Sequence, residues 1–225
     1  MNGAPSAKTL GWELALVTFV LTALASLLFA LRDIAWIGSA LSALVAVLFL
    51  YGPIVVLSWR HRAIDFIGRD VHAYLRSGLV FLVVALIIFP PFFGAAFLWQ
   101  KWVFGAGEFH AAGFENFGHM FLFQLIMVAL PEEFYFRGYF QSTIDKILPK
   151  RWPIFGVHLG WGWIITAAVF ALAHSIVVVK WWHFSIFFPA LVFGYLRERT
   201  GSITAPILFH AASNLFMNWF ASCFS

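Results

Sequence analysis

Residues 77–102 read SGLVFLVVALIIFPPFFGAAFLWQKW, an apolar run whose one charged side chain, Lys101, stands beside its end. A helix needs about 20 apolar residues to cross the hydrocarbon core of a bilayer, so this run predicts a transmembrane helix. The rest of the chain has the same character, since 62% of its 225 residues are hydrophobic and 11% are charged. A soluble domain carries about 25% charged residues. The sequence therefore predicts an all-α, polytopic membrane protein.

Similar apolar runs predict about seven spans, within a range of six to eight, in a single integral membrane domain, residues 1–225. The predicted spans are 10–31, 34–59, 77–102, 117–142, 160–180, 182–197 and 203–222. The sixth span is short and contains Pro189, and little more than Lys180 separates it from the fifth. The boundary between these two spans is the least well defined.

The basic residues predict the orientation in the membrane. One set of alternate loops carries ten of the 14 Lys and Arg residues and the other set carries three. Loops rich in Lys and Arg face the cytoplasm, so we expect a cytoplasmic N-terminus and an external C-terminus. The net charge of +4 then reflects topology, and no nucleic-acid partner is expected. We expect a multi-pass protein of a bacterial inner (cytoplasmic) membrane.

A few strongly polar side chains remain inside the predicted spans. Placing an ionisable residue within a span costs about 2.5 kcal/mol or more, so such a residue indicates function. In the order of the chain they are Glu132, Glu133, Arg137, His174, His210 and Asn214.

Helical spacing divides the roles of the first three. Glu133 and Arg137 are four residues apart with the acid first, which favours an ion pair along one helix face. Glu132 points about 100° away from Glu133 and is left free to face a cavity, as a general base must. Pro131 cannot donate a backbone hydrogen bond and should break the helix beside the two carboxylates.

The other polar residues form two pairs with the same spacing. Phe170 and His174 share a helix face, and so do His210 and Asn214, which could hold an oxyanion or ligate something. Each pair has a structural alternative, because a lone intramembrane His or Asn often serves only as a hydrogen bond between helices.

Three short motifs carry these residues. EEFYFR (132–137), FALAH (170–174) and HAASN (210–214) have the forms E-E-x-x-x-R, F-x-x-x-H and H-x-x-x-N. In this order they resemble the CAAX-protease and bacteriocin-processing (CPBP, or Abi) family of intramembrane endopeptidases. The resemblance covers 117–220, which we expect to be the catalytic core.

The resemblance implies hydrolysis of a peptide bond in a membrane-associated protein or peptide. It implies that Glu132 is the catalytic glutamate, that His174 helps it to activate water, and that His210 and Asn214 stabilise the oxyanion. Glu133 and Arg137 would hold the site together. The substrate could be a leader peptide or the anchored C-terminal tail of a sorted surface protein, as in the myxosortase-like branch.

Alternatives remain at this point. Glu132, His174 and His210 could supply three zinc ligands, although there is no H-E-x-x-H helix and Glu133 is expected to be committed to Arg137. We therefore expect neither a metal nor another cofactor. A protein that only binds hydrophobic peptides, as in bacteriocin immunity, is a second alternative. Proton transport is a third, disfavoured because the halves of the chain show no repeat.

Overall fold

The apolar runs form helices at or near their predicted positions in the computed structural model, which describes residues 5–68, 70–113 and 116–224. The helices are α1 (Ala7–Ala30), α2 (Ala35–Trp59), α3 (Val71–Trp102), α4 (Phe117–Phe123), α5 (Leu130–Glu133), α6 (Ser142–Ile147), α7 (Trp161–Val177), α8 (Phe187–Thr200) and α9 (Thr204–Ser222). Among the described residues, α1, α2 and α3 are long and apolar enough to cross a membrane, and α7 is a shorter apolar helix. The predicted all-α polytopic fold is confirmed.

Several helix boundaries differ from the predicted spans. The third helix begins at Val71, six residues before the predicted span, because the Asp70 side chain accepts a hydrogen bond from the Ala73 backbone N–H at 2.8 Å and caps it. A 3₁₀ helix, Trp181–Ile186, lies between α7 and α8, so the sixth span begins later than expected. One basic residue of the predicted cytoplasmic loops, Arg69, lies outside the described residues.

The fourth predicted span is a continuous composite helix over 117–147, in which α4, α5 and α6 alternate with two π-helical segments. These segments are Gln124–Ala129 and Phe134–Gln141. Pro131 lies in α5 between them, where it has no backbone N–H to donate. The helix therefore runs through Pro131 without the expected break, and its pitch changes on either side of α5. Such π-helical turns often occur at functional sites.

The composite helix is the centre of the bundle. Every residue of Phe134–Gln141 is buried, and this segment contacts α2, α7 and α8. Helix α8 packs between α7 and α9, while α3 packs on α8 and α9 and leaves most of its apolar surface exposed. This arrangement surrounds the polar motifs with other helices.

A short antiparallel hairpin, β1 (Arg151–Ile154) and β2 (Val157–Gly160), joins the composite helix to α7. The apolar pattern of the sequence does not predict this hairpin. Tyr195 donates a hydrogen bond to the Phe155 carbonyl at 3.2 Å and Arg199 to the Gly156 carbonyl at 3.1 Å, so α8 holds the turn of the hairpin. These two contacts attach the hairpin to the C-terminal part of α8.

Candidate active site

Three of the four predicted catalytic side chains meet at one point inside the bundle. The Oε2 atom of Glu132, on α5, lies 3.7 Å from Nε2 of His174 on α7 and 3.9 Å from Nε2 of His210 on α9. The Glu132 side chain is 16% exposed, whereas that of Glu133 is wholly buried. Glu132 is thus the more accessible of the two carboxylates, and its buried Oε2 has no hydrogen-bond partner among the described residues.

The second nitrogen of each imidazole is held by a hydrogen-bond acceptor. Nδ1 of His174 lies 2.9 Å from the carbonyl oxygen of Phe170, and Nδ1 of His210 lies 2.8 Å from Oε1 of Glu133. Since a carbonyl and a carboxylate only accept, Nδ1 is the donor in both contacts. Both Nε2 atoms are therefore turned toward Glu132.

Glu133 and Arg137 form the predicted ion pair. The Nη1 atom of Arg137 donates to Oε1 of Glu133 at 2.9 Å, and both side chains are completely buried. Arg137 also donates to the Ala190 carbonyl at 3.1 Å, and its guanidinium lies over the rings of Phe170 and Phe193. A delocalised guanidinium suits such stacking.

Glu133 does more than the sequence indicated. The same oxygen accepts the hydrogen bonds of both Arg137 and His210. The expectation that Glu133 is committed to Arg137 alone is wrong, because α9 packs close enough to place His210 beside the pair. Glu133 orients one of the two imidazoles.

The ring of Phe170 packs against the Arg137 guanidinium and against both imidazoles. Its ring centroid is 4.5 Å from that of His174 and 5.8 Å from that of His210. Phe193 stacks on His210 with centroids 4.8 Å apart. These rings restrict both imidazoles, and Phe193 is a residue that the motifs did not indicate.

Asn214 is placed differently from the other predicted site residues. It lies one helical turn after His210 on α9, and its Nδ2 donates to Oε1 of Gln124 at 2.9 Å. Among the described residues, Gln124 is the side-chain hydrogen-bond partner of Asn214. No hydrogen bond joins Asn214 to Glu132, His174 or His210 there. Gln124 was missed as a partner, although a polar side chain in an apolar span was a signal.

A cavity of about 140 Å³ opens beside Glu132 and His174. Of the described residues that line this α1–α2–α7 pocket, these two are polar and the rest are apolar. The apolar lining comes from the composite helix and from the three helices that name the pocket, and includes Phe29, Leu41, Val45 and Val177. The cluster of polar groups thus stands at the wall of an apolar chamber.

Comparison with known proteins identifies the segment that carries this geometry. Residues 114–216 match the family model described as type II CAAX prenyl endopeptidase Rce1-like. No curated protein and no solved structure matches the chain. All seven predicted site residues lie inside the matched segment, as the three motifs led us to expect. Over residues 114–216, slightly less than half of its length, the chain is thus similar to the Rce1-like type II CAAX prenyl endopeptidases, a family of proteases.

Proposed function

We propose that the protein is an intramembrane endopeptidase that hydrolyses a peptide bond of a membrane-associated protein or peptide. The observation that carries this proposal is the convergence of one partly exposed carboxylate and two imidazole nitrogens at the wall of an apolar pocket. A bacterial inner membrane and a glutamic-type mechanism are parts of the same proposal.

The distances at Glu132 support activation of a water molecule. Gaps of 3.7 and 3.9 Å are too long for direct hydrogen bonds, and a bridging water spans such a gap. Glu132 would accept a proton from a water molecule while the oxygen of that water attacks the carbonyl carbon of the substrate. His174, whose Nε2 is free to accept, would share this proton. General-base catalysis of this kind contributes about 10²–10⁴-fold.

His210 and Asn214 supply the donors for the oxyanion that then develops. With its Nδ1 hydrogen-bonded to Glu133, His210 turns its Nε2 toward Glu132, and in its doubly protonated form it would donate an Nε2–H to the oxyanion. The amide of Asn214 has two N–H groups, and Gln124 uses one of them. Collapse of the tetrahedral intermediate breaks the C–N bond, and the proton held by Glu132 and His174 passes to the leaving amine. The products are a carboxylic acid and an amine.

The decisive experiment compares two glutamate substitutions in the full-length protein reconstituted in liposomes. Membrane-anchored reporter peptides are added and their cleavage is followed by mass spectrometry. We expect Glu132→Gln to reduce kcat by about 10²-fold or more. Glu108→Gln is the matched control, because the Glu108 side chain is 87% exposed and lies in the loop that follows α3. Unchanged cleavage by Glu132→Gln contradicts the mechanism, and retained peptide binding without any cleavage by the wild type favours the binding-protein alternative.

A zinc-dependent version of the same reaction is the second candidate. The hydrogen bond from His210 to Glu133 favours it, because metal-bound histidines commonly donate to a carboxylate. The donors that would hold the ion are Glu132, His174 and His210, and zinc would supply a more acidic water. As they lie, however, no group of three such side chains among the described residues is arranged to hold a metal.

We therefore propose a metal-free reaction. Cleavage by the purified protein should be unchanged after dialysis against a chelator, and elemental analysis should find less than one zinc per chain. Loss of cleavage on chelation, with recovery on adding zinc alone, favours the second candidate.

A further inference from the structure

The size of the α1–α2–α7 pocket limits what it can hold. Its volume is about 140 Å³, and an apolar protein cavity of about 150 Å³ stays dry and binds benzene. The pocket therefore matches one aliphatic or aromatic side chain.

The lining also selects by charge. Apart from Glu132 and His174, which face the scissile bond in the proposed reaction, the described lining residues carry no polar side chain. A charged or amide side chain placed among Phe29, Leu41 and Val45 would lose its hydration without gaining a hydrogen bond. The lining thus favours an apolar occupant.

The pocket combines two parts of the chain. Glu132, His174 and Val177 belong to the segment that matches the protease family. The facing wall, which includes Phe29 of α1 with Leu41 and Val45 of α2, lies before that segment. The facing wall and the proposed catalytic groups therefore come from different parts of the chain.

We propose that the α1–α2–α7 pocket is the subsite for a single apolar side chain next to the scissile bond, and that α1 and α2 set this preference. This inference rests on the proposed function. The substrate class is then a membrane-associated peptide with one medium-sized apolar residue at the cleavage position, bound through that side chain.

The test uses full-length protein in liposomes and a set of lipid-anchored peptides that differ only at the residue next to the scissile bond. That residue is Ala, Leu, Phe, Trp, Gln or Lys. The wild type should cleave the Leu and Phe peptides best. Val45→Phe, which narrows the pocket, should lower kcat/KM for Leu and Phe relative to Ala by about tenfold or more. Leu41→Ala, which widens it, should shift the preference toward Trp.

Val47→Phe is the matched control. It makes the same change two residues along α2, where the side chain is 52% exposed and lines no part of the pocket. It should leave the order of preference unchanged. Because Val45→Phe and Leu41→Ala act in opposite directions, a general loss of folding cannot imitate the expected result.

The outcomes separate this inference from the proposed function. Cleavage that needs Glu132 but keeps the same preference in both pocket variants overturns the subsite and leaves the protease standing. Binding of the peptides to the Glu132→Gln protein, measured by fluorescence anisotropy, is the second readout. If the wild type cleaves nothing but binding follows the predicted preference and shifts with the variants, the subsite stands and the protease does not. Binding without preference overturns the subsite as well.

Discussion

At the scale of single residues, the most consequential atom is Oε1 of Glu133. It accepts a hydrogen bond from Arg137 at 2.9 Å and another from His210 at 2.8 Å. The first contact keeps two buried charges together, and the second orients an imidazole of the candidate site. Stability and proposed catalysis therefore share one carboxylate.

A double-mutant cycle at this pair should show strong coupling. Glu133→Gln leaves the Arg137 charge buried without a counter-charge, and Arg137→Met does the same to Glu133. Each single change should lower the free energy of unfolding by about 3–5 kcal/mol, while the double variant should lose much less than the sum. Unfolding in detergent with increasing SDS measures this. Additive losses would contradict the pairing.

The two imidazoles show how far local spacing reaches. The contact of Phe170 with His174 and the ion pair of Glu133 with Arg137 follow from a separation of four residues along one helix. The approach of His210 to Glu132 and Glu133 crosses 77 or more positions of the chain. A local sequence pattern does not predict which faces of α5 and α9 pack against each other.

At the scale of elements, the second π-helical segment packs closely against the loop between α2 and α3. A side chain at Gly138 would overlap the ring of Phe66, which comes from the loop between α2 and α3. Phe66 is buried, packs edge-on against Phe134 with centroids 5.0 Å apart, and its carbonyl accepts a hydrogen bond from the Ile203 N–H at 2.9 Å. The absence of a side chain at Gly138 therefore allows this loop to pack into the bundle.

Gly138→Ala should lower the free energy of unfolding by about 1–3 kcal/mol, because the added methyl group overpacks the site. Shortening the opposing ring with Phe66→Leu in the same chain should recover part of the loss. Gly78→Ala is the control, since a methyl group on Gly78 meets nothing within 4 Å. That change should be neutral or slightly stabilising through helix propensity. If the two glycine variants unfold alike, the overlap is not significant.

At the scale of the whole molecule, a polar cluster joins α6, the hairpin and α8 at the predicted cytoplasmic end. Asp145, beyond the predicted span 117–142, pairs with Arg151 at 3.1 Å, and Arg151 pairs with Glu198 at 2.6 Å. Burial, with a smaller contribution from Glu198, raises the pKa of Asp145 to about 6 despite the opposing effect of Arg151 and Arg197.

This shift has a definite sign. The folded state holds the Asp145 proton more tightly than the unfolded state, so this group contributes stability at low pH that is lost as the pH rises from about 4 through 6. The Asp145→Asn variant mimics the protonated form. Its stability relative to that of the wild type should therefore be greater at pH 7.5 than at pH 5. Melting temperatures at both pH values measure this, and the reverse order would mean that the ion pair with Arg151 dominates.

The pocket lies toward the opposite end of the molecule. Phe29 stands one residue before the end of α1, and Val178 follows the last residue of α7. The loops after these helix ends belong to the predicted external set, which is poor in Lys and Arg. We therefore expect the pocket to open toward the external half of the bilayer.

Cysteine labelling tests this orientation. A membrane-impermeant maleimide applied to intact cells should label Val178→Cys at the pocket rim and leave Phe155→Cys, at the turn of the hairpin, unlabelled. Inverted vesicles should give the opposite result. The native Cys223 is buried and should contribute little background. Labelling of Phe155→Cys from outside would reverse the orientation.

The sequence by itself determined the class of protein, the approximate positions of its apolar helices, and the ion pair between Glu133 and Arg137, which lie one helical turn apart. These follow from composition and from helical periodicity, which are local. It also indicated the family, because three motifs stand in the right order. The hairpin and the two π-helical segments were not foreseen, since apolar patterning does not distinguish helical pitch.

Only the tertiary structure decided which polar groups meet. The bond from His210 to Glu133, the pairing of Gln124 with Asn214, and the wall that α1 and α2 add to the pocket all join residues distant in the chain. Such contacts depend on how whole helices rotate and pack against one another, and many side chains share in setting that rotation. The motifs therefore predicted the chemistry of the site, while the packing of the helices determined its geometry.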